Sequence, residues 1–217
     1  MSEKKYVPRH IRYHKGGQQD VFPIKLKDFN MMTRLCLVKR DAAREKGDLK
    51  GEHRWWRNYI ILITGANTGH RIERLLQFTP RNIEGGSLAI EEFKTGKKLK
   101  YEINDSLLNE LDEFIEFYNI SKNEFIFKTY SNSIKPLTRQ QAYNFIKILA
   151  DEVGIKYPVG AHSLRKSFGR FVYDEKHDIY VVQRLLGHEN PYDTMRYICL
   201  EDNVVEKQRK KAAFGIH

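Results

Sequence analysis

Apolar residues recur at helical spacing along most of this chain. Between Ile24 and Lys46 they fall every third or fourth position, which predicts an amphipathic helix that ends at the glycines of residues 47–51. The next apolar segment, roughly His53 to Thr64, is too rich in Trp, Tyr and Ile for a surface element, so we expect a buried helix. Further helical patterns run over Arg71 to Phe78, Asp105 to Tyr118, Thr138 to Val153, Ser163 to Tyr173, Ile179 to Leu186 and Tyr192 to Ile198.

Strand patterns are confined to the middle of the chain. The segments Ile83 to Phe93 and Leu99 to Ile103 predict an antiparallel hairpin whose tip carries Lys94 to Lys98, and Glu124 to Phe127 predicts one further short strand. Gly65 to Gly69 predicts a turn after the buried helix. The expected fold class is therefore mainly α with a small antiparallel β-sheet, an α+β architecture.

The length is sufficient for one core with short appendages. At 217 residues and 41% hydrophobic content, we expect one domain over residues 23–200, a basic arm over residues 1–22 and a tail over residues 201–217. Only Cys36 and Cys199 are present, which argues against a disulfide framework or a clustered zinc site. No apolar run approaches the roughly 20 residues of a membrane span, and the N-terminus lacks the apolar core of a signal peptide. We expect a soluble cytoplasmic protein without metal, cofactor or membrane partner.

Positive charge predicts an anionic partner. Lys and Arg outnumber Asp and Glu by 38 to 28, which gives a formal net charge of +10 and a pI near 9.5. Such an excess favours binding to a polyphosphate surface. The N-terminal arm is a candidate DNA contact, although charged termini are often only solvated. Its basic residues include Lys4, Lys5, Arg9, Arg12 and Lys15.

The chain also contains residues suited to one reaction, the attack of a tyrosine hydroxyl on a phosphodiester. That attack needs cations around the phosphate oxygens and a group that protonates the departing oxygen. Arg71 follows a glycine turn, and Lys94 at the hairpin tip is a candidate general acid. In the last quarter of the chain follow His162, Arg165, His188 and Tyr197.

Each of these residues also has an ordinary explanation. A His-x-x-Arg pair often lies on a salt-bridged helix surface, Gly187-His188 can simply end a helix, and most hairpin lysines only solubilise a turn. Tyr197 is one of 12 tyrosines, and an arbitrary tyrosine is usually structural. The order of the residues along the chain favours catalysis.

In that order the motifs resemble those of the tyrosine recombinases, the family of lambda-type phage integrases. The resemblance covers about Ile24 to Ile198, and Tyr197 stands nine residues after His188, where the family has its nucleophile. The other matching segments are Thr64 to Ile72 (first arginine box), Lys94 to Gly96 (hairpin lysine motif), His162 to Phe168 (His-x-x-Arg box) and Leu185 to His188 (Leu-Gly-His box).

The resemblance implies the tyrosine recombinase catalytic-domain fold and a DNA strand-exchange enzyme. Tyr197 would form a 3′-phosphotyrosyl bond, Lys94 would protonate the 5′-oxygen, and His162 would accept the tyrosine proton or bind phosphate. Because the covalent bond conserves the phosphodiester energy, neither a metal nor a cofactor is required. Binding of the phosphate and its transition state would fall to Arg71, Arg165 and His188.

Two features depart from the family pattern. Most relatives have an acidic residue three positions after the first arginine, where this chain has Arg74, with Glu73 one place earlier. This departure concerns how Arg71 is supported. Arg71 also lies so near the N-terminus that we expect a short form without the separate core-binding domain, like the recombinases that invert fimbrial promoter segments. The arm or a partner would then complete the clamp on DNA.

The expected partner is a double-stranded DNA recombination site. A homo-oligomer would bind it, with a tetramer in synapsis and accessory DNA-bending proteins as candidates. We expect the tail to dock on a neighbouring protomer, with docking on its own subunit as the alternative. Further candidate DNA contacts are Lys97, Lys98, Arg139 and Gln140, although Thr138 to Gln141 can equally cap a helix.

Two other functions fit the same residues. One is a type IB topoisomerase-like enzyme that only relaxes DNA, and the other is a non-cleaving DNA-binding regulator or accessory factor. Intact Tyr197, Arg71 and Arg165 argue against a pure binder, because binding alone needs no nucleophile. Recombinant products from paired sites would separate a recombinase from a topoisomerase.

Overall fold

The computed structural model of the chain describes residues 21–91, 98–130 and 134–200. Within these ranges helices predominate and the strands form one small sheet, as predicted. In chain order the elements are α1 Leu26–Glu45, α2 Leu49–Thr68, α3 Ile72–Leu75, a 3-10 turn Pro80–Asn82, β1 Ile83–Glu84, β2 Ser87–Glu91, β3 Lys98–Glu102, α4 Asp105–Phe117, α5 Arg139–Glu152, α6 Ala161–Lys176, α7 Ile179–Leu186 and α8 Pro191–Tyr197.

Helix α2 is the centre of the main core, around which α1, α4 and α6 pack. Its Trp56, Ile60 and Leu62 are no more than 1% exposed, and burial of side chains this large contributes about 1.5–3 kcal/mol each. The helix begins at Leu49, earlier than predicted, because the Asp48 carboxylate accepts a hydrogen bond from the Gly51 backbone N–H. The prediction of a buried helix is confirmed.

The end of α2 differs from the predicted turn. The helix continues through Thr68, whose hydroxyl donates to the Thr64 carbonyl one turn earlier. Only Gly69 leaves the helix, with a φ of 65° in the left-handed region. A Cβ at Gly69 would lie 2.3 Å from Cδ1 of Phe168, so α6 packs directly against this corner. The first arginine box therefore begins on a helix and turns at a single glycine.

The sheet is antiparallel with strand order β1-β2-β3. The segment Ile83 to Phe93, predicted as one strand, contains the two strands β1 and β2. Gly85 and Gly86 both have positive φ and reverse the chain between these strands. The strand predicted over Glu124 to Phe127 is wrong. The backbone of this segment forms hydrogen bonds with two different neighbours. Ile126 N–H donates to the Phe78 carbonyl, and the Phe127 carbonyl accepts from Leu137 N–H, so no strand ladder forms.

A second, smaller apolar cluster joins α6, α7 and α8 through Val182, Leu186 and Ile198. Gly169 permits their close approach, since a Cβ there would lie 2.8 Å from Cγ2 of Ile198 and 3.0 Å from Cδ1 of Leu186. Helix α7 ends at Gly187, whose φ of 61° turns the chain, as its motif predicted. The cluster holds the last two motifs against α6.

Candidate active site

Arg165 joins three motifs at the centre of the site. It lies in the first turns of α6 and is only 7% exposed. Its Nη1 donates to the Gly69 carbonyl at the end of α2, and its Nη2 donates to the Leu186 carbonyl at the end of α7. Both carbonyls are among the last of their helices and need outside donors. The guanidinium therefore fixes the ends of two helices beside α6.

Tyr197, the predicted nucleophile, lies within this arrangement. Its hydroxyl lies close enough to the Arg165 guanidinium for that cation to influence its pKa. Burial raises the pKa of Tyr197, and the charges of Arg165 and Arg71 lower it, with burial the larger effect. The hydroxyl is thus protonated at neutral pH and needs a base before it can attack. Tyr197 is also flanked by His188, whose ring stands edge-on at 4.9 Å between centroids.

His188 is oriented by a short hydrogen-bond chain. Its Nδ1 lies 3.1 Å from the Thr194 hydroxyl, which in turn donates to the Asn190 carbonyl at 3.1 Å. Since Thr194 has one hydrogen to donate, we assign the histidine proton to Nδ1, which leaves Nε2 for a substrate. Burial and then the charges of Arg165 and Arg71 lower the pKa of His188.

Arg71 is the exposed member of the group. It precedes α3 with an extended backbone and follows the Gly69 corner. Its charge contributes to the lowered pKa of both Arg165 and His188, which places its guanidinium within electrostatic reach of them. An exposed cation beside a buried one suits an anion that enters from solvent.

His162 lies one turn before Arg165 on α6 and is half-buried. Burial is the main reason that its pKa is lowered; Glu73 opposes the shift, and Arg139 adds to it. Arg139 Nη1 pairs with Glu73 Oε1 at 3.1 Å. Glu73 thus lies near His162, one position before the place where the family pattern has an acidic residue. It forms its ion pair with Arg139 of α5.

The predicted DNA-contact residues lie partly inside and partly outside the described ranges. Thr138 and Gln141 form a capping box at the start of α5, whereas Arg139 and Gln140 stay exposed beyond it. Gln140 donates to the Asn144 side chain at 2.8 Å. Lys98 begins β3. The remaining predicted residues lie outside the described ranges: Lys4, Lys5, Arg9, Arg12, Lys15, Lys94 and Lys97.

Three further residues of the site were not predicted to be functional, although Lys166 and His70 lie within the matching motif segments. Lys166 is 8% exposed, and its Nζ lies 5.2 Å from the centroid of the Tyr197 ring. Thr194 is fully buried beneath His188. His70 Nε2 lies 2.5 Å from the Tyr101 hydroxyl and ties the arginine box to β3. Burial, and then the charges of Arg165 and Arg74, lower the pKa of His70 to about 4.

The described residues contain neither a membrane-spanning helix nor a metal-binding cluster. None of their helices is long and apolar enough to cross a membrane. Likewise, no group of three or more His, Cys, Asp or Glu side chains in the same ranges is arranged to hold a metal ion.

Comparison with known proteins agrees with this geometry. The chain is 34% identical over 155 residues to the probable integrase/recombinase YoeC of Bacillus subtilis (strain 168), which covers 71% of this chain and 83% of that protein. It is 26% identical to the tyrosine recombinase XerD of Staphylococcus saprophyticus, covering 70% of this chain and 53% of XerD.

Solved structures show the same fold. The XerH site-specific recombinase, bound to palindromic difH substrate in a post-cleavage complex, superposes with a TM-score of 0.66 at 20% identity. The match covers 87% of this chain and 52% of XerH, so the chain spans about half the length of XerH and XerD. The model of the phage integrase family matches residues 48–203. The resemblance in the motifs is thus confirmed, and the chain belongs to the phage integrase family, that of the tyrosine recombinases.

Proposed function

We propose that this chain is a site-specific DNA recombinase that cleaves and rejoins DNA through a 3′-phosphotyrosyl link at Tyr197. One observation carries the proposal. The Tyr197 hydroxyl lies close enough to the buried Arg165 for that cation to lower its pKa, beside His188 and within reach of the charge of Arg71. A nucleophile held among cations is suited to attack a phosphodiester, and a protein that only binds DNA needs no such arrangement.

In the proposed step, the Tyr197 oxygen forms a bond to the scissile phosphorus while the bond from phosphorus to the 5′-oxygen breaks. Arg71 and Arg165 would neutralise the charge on the non-bridging oxygens of the transition state. The new phosphodiester keeps the energy of the old one, so the reverse attack by a 5′-hydroxyl rejoins a strand without ATP or metal.

Two protons must move during this step. His162 is the proposed acceptor of the tyrosine proton, supported by a lowered pKa that favours its neutral form. Lys94, which lies outside the described residues, is the proposed donor to the departing 5′-oxygen. His162 as a phosphate ligand is the alternative.

His188 would bind a non-bridging oxygen through Nε2. With its proton on Nδ1, neutral His188 presents a lone pair at Nε2, so it must take up a second proton to donate to the phosphate. The negative charge of the phosphate favours that uptake. The proposal therefore includes protonation of His188 when DNA binds.

The complex of XerH with its difH substrate supports a DNA substrate for this chain. We propose a double-stranded recombination site, a homo-oligomer with a tetramer in synapsis, and accessory DNA-bending proteins. The arm of residues 1–22, the domain of residues 23–200 and the tail of residues 201–217, docking on a neighbouring protomer, remain part of the proposal. We also propose that the protein acts in the cytoplasm and is encoded by a mobile genetic element. Arg139 and Gln140 are proposed to contact the DNA.

Covalent capture tests the activity. A pool of duplexes with randomised cores, each nicked so that the 5′-hydroxyl side diffuses away after cleavage, is incubated with the protein in excess chelator. The proposal expects DNA that stays attached to the protein in detergent, and one sequence enriched among the captured molecules. No adduct at any ionic strength would favour the non-cleaving alternative, and adducts without strand exchange between paired captured sites would favour the topoisomerase-like one.

A further inference from the structure

A cavity of about 440 Å³ lies between α2, α5 and the residues Thr129, Tyr130 and Leu137. Its volume is within the roughly 300–1,000 Å³ of small-ligand sites. None of the described candidates for catalysis, Arg71, His162, Arg165, His188 and Tyr197, lines it. The cavity is therefore separate from the active site.

The lining of this cavity is cationic. Lys50, Arg54 and Arg57 contribute permanent charges from α2, and amides are added by Asn58, Gln141 and Asn144. Among the described residues that line it, none carries a carboxylate. Lys50 and Arg54 are exposed at the rim, whereas Arg57 is 6% exposed. Among the described lining residues, no anion balances the charge of Lys50, Arg54 and Arg57.

Arg57 is the deepest of these cations. Its Nη1 donates to the Lys128 carbonyl and its Nη2 to the Asn58 side chain, both at 3.0 Å, whereas its buried Nε has no partner among the described residues. Burial first, and then the charge of Arg54, lower the pKa of Arg57 to about 10, so it remains a cation at neutral pH. A buried cation without an anion costs several kcal/mol.

His53 supplies a second buried polar atom to the same cavity. It is 2% exposed, and its Nδ1 has no hydrogen-bond partner in the described part of the chain. Burial, and then the charges of Arg57 and Lys128, lower its pKa to about 3, so the ring is neutral and Nδ1 can carry a donor hydrogen. The ring of Tyr130 stands edge-on to it at 5.5 Å and forms an aromatic wall.

We propose that this cavity binds a phosphate group through Arg57 and His53, with Lys50 and Arg54 attracting it at the rim. A phosphate supplies the negative charge that the lining lacks. A small rotation of the Arg57 and His53 side chains would bring the unpartnered Nε and Nδ1, which are closed to solvent, to its acceptor oxygens. The phosphate belongs either to the DNA backbone or to a free phosphate compound. The first source rests on the proposed function, and the second does not.

Nitrogen NMR of the full chain without DNA tests the site directly. Because Arg71 and Arg165 also attract phosphate, the titration with inorganic phosphate uses an Arg71→Gln background and follows the Arg57 Nε–H signal. The proposal expects a saturable shift of that signal, weakened about tenfold in a Lys50→Gln/Arg54→Gln double variant. A charge-matched Lys27→Gln/Lys147→Gln variant, altered at exposed positions that do not line the cavity, should change the affinity less than twofold.

An Arg57 signal that does not move, or equal weakening in both double variants, would overturn the proposal. The variants keep Arg57 in place, so loss of folding does not confuse the result. DNA binding at several salt concentrations then identifies the source. A salt slope reduced by about one or two in the rim variant, beyond the control, indicates a backbone phosphate, and an unchanged slope indicates a free phosphate compound. Neither outcome depends on cleavage, so failure of the recombinase proposal remains distinguishable.

Discussion

The reactivity of Tyr197 depends on the charges around its ring. Against the effect of burial, Arg165 lowers the pKa of its hydroxyl, and the Lys166 ammonium lies over its ring face, 5.2 Å from the centroid. A cation at this position attracts the ring more strongly when the phenol has lost its proton, because the electron density of the ring rises. Lys166 therefore favours the attacking form of the nucleophile and helps to position it.

Replacing Lys166 by Met should slow cleavage by about 2- to 30-fold, the range that corresponds to a cation–π energy of roughly 0.5–2 kcal/mol. The rise of the cleavage rate with pH should also move to higher pH, which a purely structural role would not cause. Single-turnover cleavage across a pH series measures both effects, with Lys166→Arg as the conservative variant and Lys147→Met as the control. A Lys166→Met profile that overlays the wild-type profile would remove Lys166 from this role.

At the scale of residues, the sequence predicted the side chains of the site better than the groups that they contact. The motifs predicted Arg165, His188 and Tyr197 as one group, and the structure brings them together. The carbonyls that hold Arg165 were not predictable, because a backbone oxygen has no residue identity and these contacts span 96 and 21 positions. Buried Thr194 was missed for a similar reason, since a lone threonine has no distinctive spacing.

At the scale of elements, helix ends build the site. The last turn of α2, the first turns of α6 and the last turn of α7 meet at Arg165. Periodicity predicted these helices well, because each buries one face. It predicted their ends less well. Asn67 and Thr68 look like turn residues, yet their side chains bond back to the carbonyls of Ile63 and Thr64 and the helix continues.

The segment Glu124 to Phe127, wrongly predicted as a strand, shows a second limit of prediction from sequence patterns. Ile126 and Phe127 are fully buried, so their apolar character was read correctly. Their backbone groups pair with Phe78 and Leu137, which lie far apart in sequence. A run this short cannot reveal its pairing partners without the tertiary fold.

Gly169 tests whether the packing of α7 and α8 positions the nucleophile. Gly169→Val should push Ile198 and Leu186 away from α6, where a Cβ alone already lies within 3.0 Å of both. Because the main core is built around α2, we expect the helical circular dichroism to change little while covalent capture falls by more than tenfold. The graded variant Gly169→Ala, which adds only this Cβ, should lower capture less than Gly169→Val. Full capture by Gly169→Val would contradict the role of this contact.

At the scale of the whole molecule, the buried His53 and the half-buried His70 make stability depend on pH. Burial lowers the pKa of His53 to about 3 and that of His70 to about 4, from an ordinary value of 6.5. Below pH 6.5 the unfolded chain takes up protons that the native state excludes. The stabilisation is thus complete above pH 6.5 and is lost as the pH falls toward 4.

Urea unfolding at pH 7, 6 and 5 measures this loss. Each histidine should remove about 1.4 kcal/mol of unfolding free energy per pH unit well below pH 6.5. His70→Gln should lower the slope by one such contribution, although the lost contact with Tyr101 lowers stability at every pH. A slope equal to that of the wild type would show that His70 does not titrate as its burial indicates.

The central claim is that Tyr197 is the residue that becomes joined to DNA. The most direct measurement is mass spectrometry of the peptide that carries the captured nucleotide, together with capture by Tyr197→Phe. The account predicts the adduct on Tyr197, no adduct in the Phe variant, and DNA affinity within about twofold of the wild type, since one hydroxyl contributes little to a salt-dependent backbone interface. Persistent capture by Tyr197→Phe, or an adduct on another residue such as Tyr192, would contradict it.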